Sequence, residues 1–555
     1  MKNLFFFLLI LATGYGCSTK SPERLIDYVN PMIGTDATGH TYPGAVSPFG
    51  MVQLSPDTKL VGWEGCSGYH FQDTILYGFS HTHLSGTGCE DYCDILVMPT
   101  TGNIQWENKD YLSAFRHSSE KASVGYYAVT LDKYDIQAEL TTSPRVGLHR
   151  YTFPEQAQAN ILFDLKHRGT VLQSSLQVVS NTEICGYRRV RQWANDRQIY
   201  FAAQFSEPFT QSELQDSTKA ALTFEAKTVL VKVALSSVSV ENARENLNTE
   251  MSDWDFNKVK ANVEQAWENQ LSKIIVEGGS QAERTNFYTA LYHTSIVPNL
   301  YMDVNGEYRG RFGKVGHADF DNYTLFSLWD TYRGAHPLYS IINPKRNQDF
   351  IKSFIRLYEE GGLLPVWELA GNETFCMIGH HAVSVITDAY MKGYRDFDVE
   401  KAYEACKKSA DTALFGLPYF IQNGYVPQDK ERESVSKTLE YAYDAWCIAQ
   451  MAKEMGQTAD YETYIRRAQY YKNTYDQSTG FMRAKVNGTW YSPFDPFEVN
   501  NNYTEANAWQ YSFYVPQDID GLAQLHGGKE ALAAKIDEMF AASDKTTGRN
   551  QADIT

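Results

Sequence analysis

The chain has 555 residues, enough for two or three domains with sizeable cores. Hydrophobic residues make up 43% and aromatics 14%, which excludes a disordered chain and leaves an unusual supply of planar side chains. A net charge of −17, from 50 basic and 67 acidic residues, provides no basic excess to neutralise phosphates and argues against a nucleic-acid partner.

The N-terminus reads MKNLFFFLLILATGYGC. A positive start, an apolar run over Leu4–Ala12 and small residues before Cys17 predict a bacterial secretory signal over 1–17, with Cys17 as a lipidation site. Tyr15 departs from the small residues usual there, so a plain signal peptide cut near Gly16 is the alternative. Residues 18–25 form a polar tether, and no later run is long and apolar enough to span a bilayer. These features predict an exported protein, in the periplasm or at the surface of a Gram-negative bacterium, touching the membrane only through a lipid anchor. The seven cysteines after Cys17 form no regular disulfide framework.

From Ile26 to Gly102 the chain is dense in Gly, Pro, Thr and Tyr, and reads as a loop-rich segment. Between Ser123 and Ser237, alternating runs such as VGYYAVTL, IQAELTTS and TVLVKVALS predict an antiparallel sandwich, and we assign 26–253 to it. An amphipathic helix over Asp255–Lys273 serves as connector within 254–280. After Gly278 the spacing becomes helical. Helices are predicted near Arg284–Ser295, Thr324–Ile342, Gln348–Glu360, Met377–Lys392, Val399–Leu414, Ser434–Met455, Asp460–Asp476, Glu505–Tyr514, Asp518–Leu525 and Lys529–Ala542. Paired helices with long aromatic loops suggest a ring of helical hairpins over 281–555, an (α/α)6 toroid left incomplete at the C-terminus, since about twelve helices close such a ring.

Four stretches offer chemistry. Asn500–Asp518 (NNNYTEANAWQYSFYVPQD) sets Glu505 among Tyr503, Trp509, Tyr511 and Tyr514. A carboxyl crowded by rings tends to keep its proton, as a general acid requires, and aromatic faces with amides suit a sugar. The bland alternative is a helix capped by Thr504, with Glu505 favouring its positive end. Ser80–Gly88 (SHTHLSGTG) would put His81 and His83 on one face of a strand, with Cys89 and Cys93 close behind. That spacing matches no zinc module, and polar packing is the commoner explanation. LWDTYR, from Leu328 to Arg333, combines Trp329 with Asp330 and Arg333, as a sugar site or an intrahelical ion pair. Pro365–His381 carries Trp367, Glu368, Asn372, Glu373, His380 and His381 on a loop entering a helix.

Taken together, these stretches resemble glycoside hydrolase family 92, the calcium-dependent, inverting exo-α-mannosidases, from about Tyr28 onward. The resemblance rests on YVNPMIGTD, GHTYPGAVSPFGMVQLSPDT, GWEGCSGYH, GFSHTHLSGTGCEDYCDILVMP, LWDTYRGAHPL, LAGNETFCMIGHHA, SVSKTLEYAYDAW and NYTEANAWQY. It implies an N-terminal β-sandwich packed on an (α/α)6 barrel, mannose-containing glycans as substrates, and Ca2+ as cofactor. By that similarity Glu505 is the general acid, Trp329 and Asp330 bind the terminal mannose, and Trp63 lines the leaving-group side as in α-1,2-specific members. Arg333, His81 and His83 fall in family motifs and are expected near the substrate. The family's Gly-Asn-Asp-Asp and His-Gly-Asn-Glu-Pro motifs, which carry the base and contribute to the calcium and sugar sites, are absent from these 555 residues. The sequence therefore resembles a C-terminally truncated mannosidase whose base and metal ligands are expected beyond Thr555. An inverting phosphorylase of the same architecture, or a catalytically silent glycan-binding lipoprotein, are the alternatives. Oligomerisation is not foreseen.

Overall fold

A computed structural model describes residues 24–548. The signal segment 1–17, the lipidation site Cys17 and most of the tether lie outside the described residues. The N-terminal part is a sandwich of two antiparallel sheets. One has seven strands, in the spatial order Ala45–Val46, Gln53–Asp57, Gly78–Ser80, Leu96–Thr101, Ala159–Asp164, Lys219–Phe224 and Gln211–Gln215. The other has eight, from Thr170–Ser180 through Glu183–Arg191, Arg197–Phe205, Thr228–Ser236, Val146–Thr152, Ile136–Thr142 and Tyr126–Leu131 to Lys121–Ser123. The strands of the second sheet show why it forms: in Ile136–Thr142, Ile136, Ala138 and Leu140 are buried while Gln137 and Glu139 are half-exposed. Rings from the two sheets meet in the core, where Phe163 stacks on Phe201 at 5.9 Å.

The first sheet departs from the sequence reading. The segment expected to be loops supplies four of its seven strands. These strands are short, interrupted by Pro56 and Pro99, and buried on both sides, so no alternation marks them.

A helix spanning Phe256–Leu271 connects the two halves of the chain, capped by Asp255, whose carboxylate accepts from the Lys258 amide. Val259, Val263, Trp267 and Leu271 recur every fourth residue and are all buried. Trp267 donates its indole N–H to the Val46 carbonyl at 2.7 Å, and Gly125 leaves room for Val263 where a Cβ would lie 2.4 Å from a methyl.

The helical part is organised around Ser434–Glu454, which packs against Ala382–Met391, Val399–Ala410 and Thr458–Arg467. Two expected helices differ. Thr324–Ile342 is broken into a short strand at Phe326–Ser327, one helical turn at Leu328–Thr331 and a helix at Ala335–Ile342. Glu505–Tyr514 shrinks to Ala508–Tyr511, capped by Asn507 in a reciprocal box with Gln510 rather than by Thr504. A helix at Val240–Glu250 and another at Leu417–Asn423 were not foreseen.

Loops from the two parts interlock. Trp193 meets Trp367 edge-on at 4.4 Å, and Asn372 donates to the Asp196 carbonyl at 3.0 Å. Leu84 and Tyr92 share an apolar cluster with Leu325, Trp367 and Leu369. Trp267→Ala should lower unfolding free energy by about 3–5 kcal/mol, the cost of emptying a large core site. Chemical denaturation would measure it, and a loss under 1 kcal/mol would show that the connector helix is not keyed into the sandwich by this indole.

Candidate active site

The two segments that fail to be regular helices carry four of the predicted site residues, Trp329, Asp330, Arg333 and Glu505. Glu505 sits in a bend with φ +47°, and Leu325, just upstream of LWDTYR, has φ +73°. Left-handed backbone is unfavourable for residues with a Cβ and concentrates at functional loops. Phe375, Met377 and Glu433 share this conformation. The Asn500–Ala506 loop is pinned to the start of the Ser434–Glu454 helix. Glu433 and Val435 donate amides to the Asn501 and Asn502 carbonyls, and Thr504 donates its amide to the Ser436 hydroxyl at 2.9 Å.

The segments carrying Asp330 and Glu505 meet where Trp329 and Tyr511 both donate to the Glu440 carboxylate. Burial, and after it the negative charge of Glu505, raises the Cys376 thiol. Trp329 packs against the cluster that holds Tyr503, Ala506 and Tyr511. Asp330 is exposed to solvent, yet the protein mass around the recess pushes its carboxyl above the ordinary value, against a hydrogen bond from Ser327 and the charge of Arg333. Arg333 spreads its guanidinium over the rings of Tyr332, Trp329 and Tyr514, at 4.8, 5.2 and 5.2 Å from their centres. The expected intrahelical pair between Asp330 and Arg333 does not form: Arg333 binds Glu440 at 3.1 Å instead.

Glu440 and Asp444 are the residues that sequence reasoning missed. Glu440 is fully buried in the middle of the Ser434–Glu454 helix, accepts hydrogen bonds from four donors and has His381 as a close ion-pair partner. Tyr511 (2.9 Å), Arg333 (3.1 Å) and Trp329 (3.2 Å) reach Oε1, while His381 (3.0 Å) and Tyr332 (3.3 Å) reach Oε2. Of the rings expected around Glu505, Tyr511 bonds Glu440, Tyr514 shares a hydrogen bond with Tyr332, Tyr503 donates to the Met482 carbonyl, and Trp509 packs edge-on against Phe481. The other nitrogen of His381 lies 2.8 Å from Asp444 Oδ1, and Asp444 Oδ2 accepts the His380 amide at 3.0 Å. Burial alone would push the His381 imidazole down, but Asp444 and Glu440 outweigh it and raise it to about 9. Burial would raise the Glu440 carboxyl, and His381 and then Arg333 hold it below its usual range. A signal was present: two acids four residues apart, on the buried stripe of a long helix, can persist only with partners.

Other predicted residues have structural employment. Glu368 is buried, with its carboxyl pushed up to about 7, and accepts from the Thr324 hydroxyl and the Leu325 and Gly371 amides. Glu373 pairs with Arg311 at 3.1 Å and takes the Val366, Trp367 and Phe375 amides. His81 and His83 lie beyond the Gly78–Ser80 strand and are fully buried inside the sandwich. His81 bonds the Ile95 carbonyl at 2.7 Å and His149 at 3.0 Å, and burial lowers its imidazole to about 4. Trp63 stays on the surface of a sandwich loop, 37% exposed, edge-on to His40 at 4.4 Å. Burial, and after it the Cys376 and Cys66 thiols, push the Cys89 thiol up to about 12. All seven described cysteines are free thiols.

Among the described residues, one His/Cys/Asp/Glu cluster has ligand atoms close enough for a metal: Asp57, His83 and Cys93, within 4.8 Å of one another. Thiol and imidazole do not suit a hard cation that takes six to eight oxygens. His83 bonds Asp57 Oδ1 at 2.8 Å and Arg168 donates to Cys93 Sγ at 3.1 Å, while His167 lies 3.0 Å from Asp57 Oδ2 as an ion-pair partner without a hydrogen bond to it.

Because the folded protein holds His381 at about 9 against an ordinary 6.5, its charge stabilises the fold fully below pH 6.5, and that contribution disappears as pH rises through 9. Thermal melts of the wild type should therefore fall across pH 6.5–9, and His381→Gln should melt lower with that slope removed. The same slope in both proteins would show that His381 is not the charged partner of Glu440 and Asp444.

Comparison with known proteins agrees with this architecture. The model of the glycosyl hydrolase family 92 N-terminal domain matches residues 28–236, and that of the family 92 catalytic domain matches residues 242–555. A family GH92 α-mannosidase from Bacteroides thetaiotaomicron is 39% identical, with a TM-score of 0.90 over 94% of this chain and 75% of its own. A structure of it in complex with mannoimidazole matches equally well, at a TM-score of 0.90. A family GH92 inverting mannosidase from the same organism is 30% identical, with a TM-score of 0.87 over 94% of this chain and 74% of its own. An uncharacterised secreted glycosidase of Arthroderma benhamiae is 26% identical over 92% of this chain and 73% of its own length. Metal dependence is general in the family. With both of its halves matched by the two domains of one family, this chain belongs to glycosyl hydrolase family 92 and is a mannosidase-type glycoside hydrolase.

Proposed function

We propose that the enzyme removes terminal α-linked mannose, of the α-1,2 type, from mannan or high-mannose N-glycans, acting from the chain end with inversion. The observation that carries this reading is the packing of Trp329 against the cluster of Tyr503, Ala506 and Tyr511, which sets the turn bearing Asp330 beside the segment bearing Glu505. In this reading Glu505 donates a proton to the departing glycosidic oxygen. Asp330 accepts hydroxyl protons of the terminal mannose, Trp329 stacks against its C–H surface, and Arg333 borders the same subsite. Trp63 meets the sugar on the leaving-group side. The water-activating base is assigned to no residue of this chain, and no step is routed through calcium. The relatives, an α-mannosidase and an inverting mannosidase, support the substrate class and the stereochemistry. We further propose that the protein is exported through its 1–17 segment, anchored through Cys17, and monomeric. Among the described residues, no helix is long and apolar enough to cross a membrane.

In the enzyme expressed from its intact gene, Glu505→Gln should slow hydrolysis of unactivated α-mannosides by about 100- to 10,000-fold, the range for losing a general acid. Dinitrophenyl α-mannoside, whose leaving group needs little protonation, should be hydrolysed with much less loss. An equal loss on both substrates would move Glu505 out of the acid role. Asp330→Ala should cost on the order of 2–4 kcal/mol in transition-state binding, read from kcat/KM, and should weaken inhibition by free mannose. Unchanged mannose inhibition would remove Asp330 from the sugar site.

A further inference from the structure

The strongest unassigned feature outside the residues given chemical roles is the Glu440 carboxylate. Its four donors and one ion-pair partner come from three separate stretches: Trp329, Tyr332 and Arg333 donate from the broken helix and Tyr511 from the turn after Glu505, while His381, from the loop before Ala382–Met391, is the ion-pair partner. Two of these donors, Trp329 and Arg333, flank Asp330 in the chain. Tyr511 follows Glu505 by six residues, on the short helix whose cap also ends the Glu505 loop. One buried oxygen, Oε1, therefore receives a hydrogen bond from each of the two segments that carry the proposed sugar-binding and proton-donating groups.

A carboxylate out of water is costly unless it is fully hydrogen-bonded, and such networks rigidify whatever they join. Side chains locked by buried partners lose less freedom on ligand binding, and small misplacement of a catalytic constellation is expensive. His381 is itself held in place, stacked on Tyr332 at 4.0 Å and bonded to Asp444 one turn along the same helix, so it keeps its charge beside Glu440.

We propose that Glu440 is a positioning residue for hydrolysis: its carboxylate sets the indole of Trp329 and the guanidinium of Arg333, and ties the Glu505 segment to them through Tyr511. This inference rests on the functional reading above. Glu440 itself touches no substrate. It acts by fixing the register between the two halves of the site.

The test uses the enzyme expressed from its intact gene, an aryl α-mannoside as substrate and mannoimidazole as inhibitor. Glu440→Gln keeps the shape but replaces an acceptor oxygen with a donor nitrogen facing donors. It should lower kcat/KM by about 100-fold, the scale for misplaced catalytic groups, and weaken mannoimidazole inhibition in parallel. Tyr511→Phe removes a single donor and leaves Trp329, Asp330 and Arg333 chemically intact. It should weaken mannoimidazole by about tenfold, the loss of one hydrogen bond to a charged group, at a temperature where the variant is fully folded. In the double variant the two losses should not add, because both act through the same carboxylate. A purely structural Glu440 would lower the melting temperature and leave the inhibition constant of the folded protein unmoved. That result in Tyr511→Phe overturns the inference even if Glu440→Gln does not fold. A wild type that neither cleaves α-mannosides nor binds mannoimidazole sinks the functional reading, and this inference with it. A wild type that does both, beside variants with unchanged inhibition, sinks this inference alone.

Discussion

A carboxylate that cannot reach water must be met by donors, and in this protein that constraint decides where distant loops go. Glu440 and Asp444 lie on one buried face of the Ser434–Glu454 helix, with His381 charged between them. Trp329, Tyr332, Arg333 and Tyr511 complete the set. The sandwich solves the same problem with the same economy. Asp91 and Asp94 share the buried guanidinium of Arg197, and Asp57 sits between His83 and His167. In each case an acid in a dry place collects chain segments that hydrophobic packing alone would leave free to slide.

Much of the fold was legible because periodicity is a direct record of one-sided burial. The second sheet alternates along its strands, and the connector helix shows every-fourth-residue burial from Val259 to Leu271. The first sheet was hidden because its strands in 45–101 are buried on both faces and broken by proline, so they carry no period. The errors around the site share one cause. Residues 324–342 and 505–514 have helical composition, but their backbones are bent to deliver Asp330 and Glu505, and tertiary contacts override local preference there. Family motifs marked Trp329, Asp330 and Glu505 as members of one site, and the structure brings the segments carrying them together. The same motifs gave no means of separating His83, which braces Asp57 inside the sandwich, from residues that line a recess.

The two halves of the chain meet through side chains on irregular loops rather than through the flat faces of sheets or helices. Trp193 against Trp367, Asn372 against Asp196, and the Leu84–Tyr92–Leu325 cluster are all loop contacts. A site built at such a junction borrows rigidity from both scaffolds. Its lining can vary without disturbing either core, since loop residues carry few of the contacts that hold the sheets and helices.

The wide separation of Glu440 from its partners bears on how the chain acquires its native form. Trp329, Tyr332 and Arg333 lie 107 to 111 positions before it, and Tyr511 lies 71 after it. A 21-residue helix forms from local contacts in well under a millisecond, whereas pairings across such spans require slow loop closure. Until those segments dock, the helix carries two ionised acids on the stripe that ends in the core. The nascent helix is then kept hydrated and discouraged from collapsing against the wrong neighbour. Arrival of the aromatic and basic partners both ends that protection and closes the recess, so chain compaction and assembly of the site become a single late event.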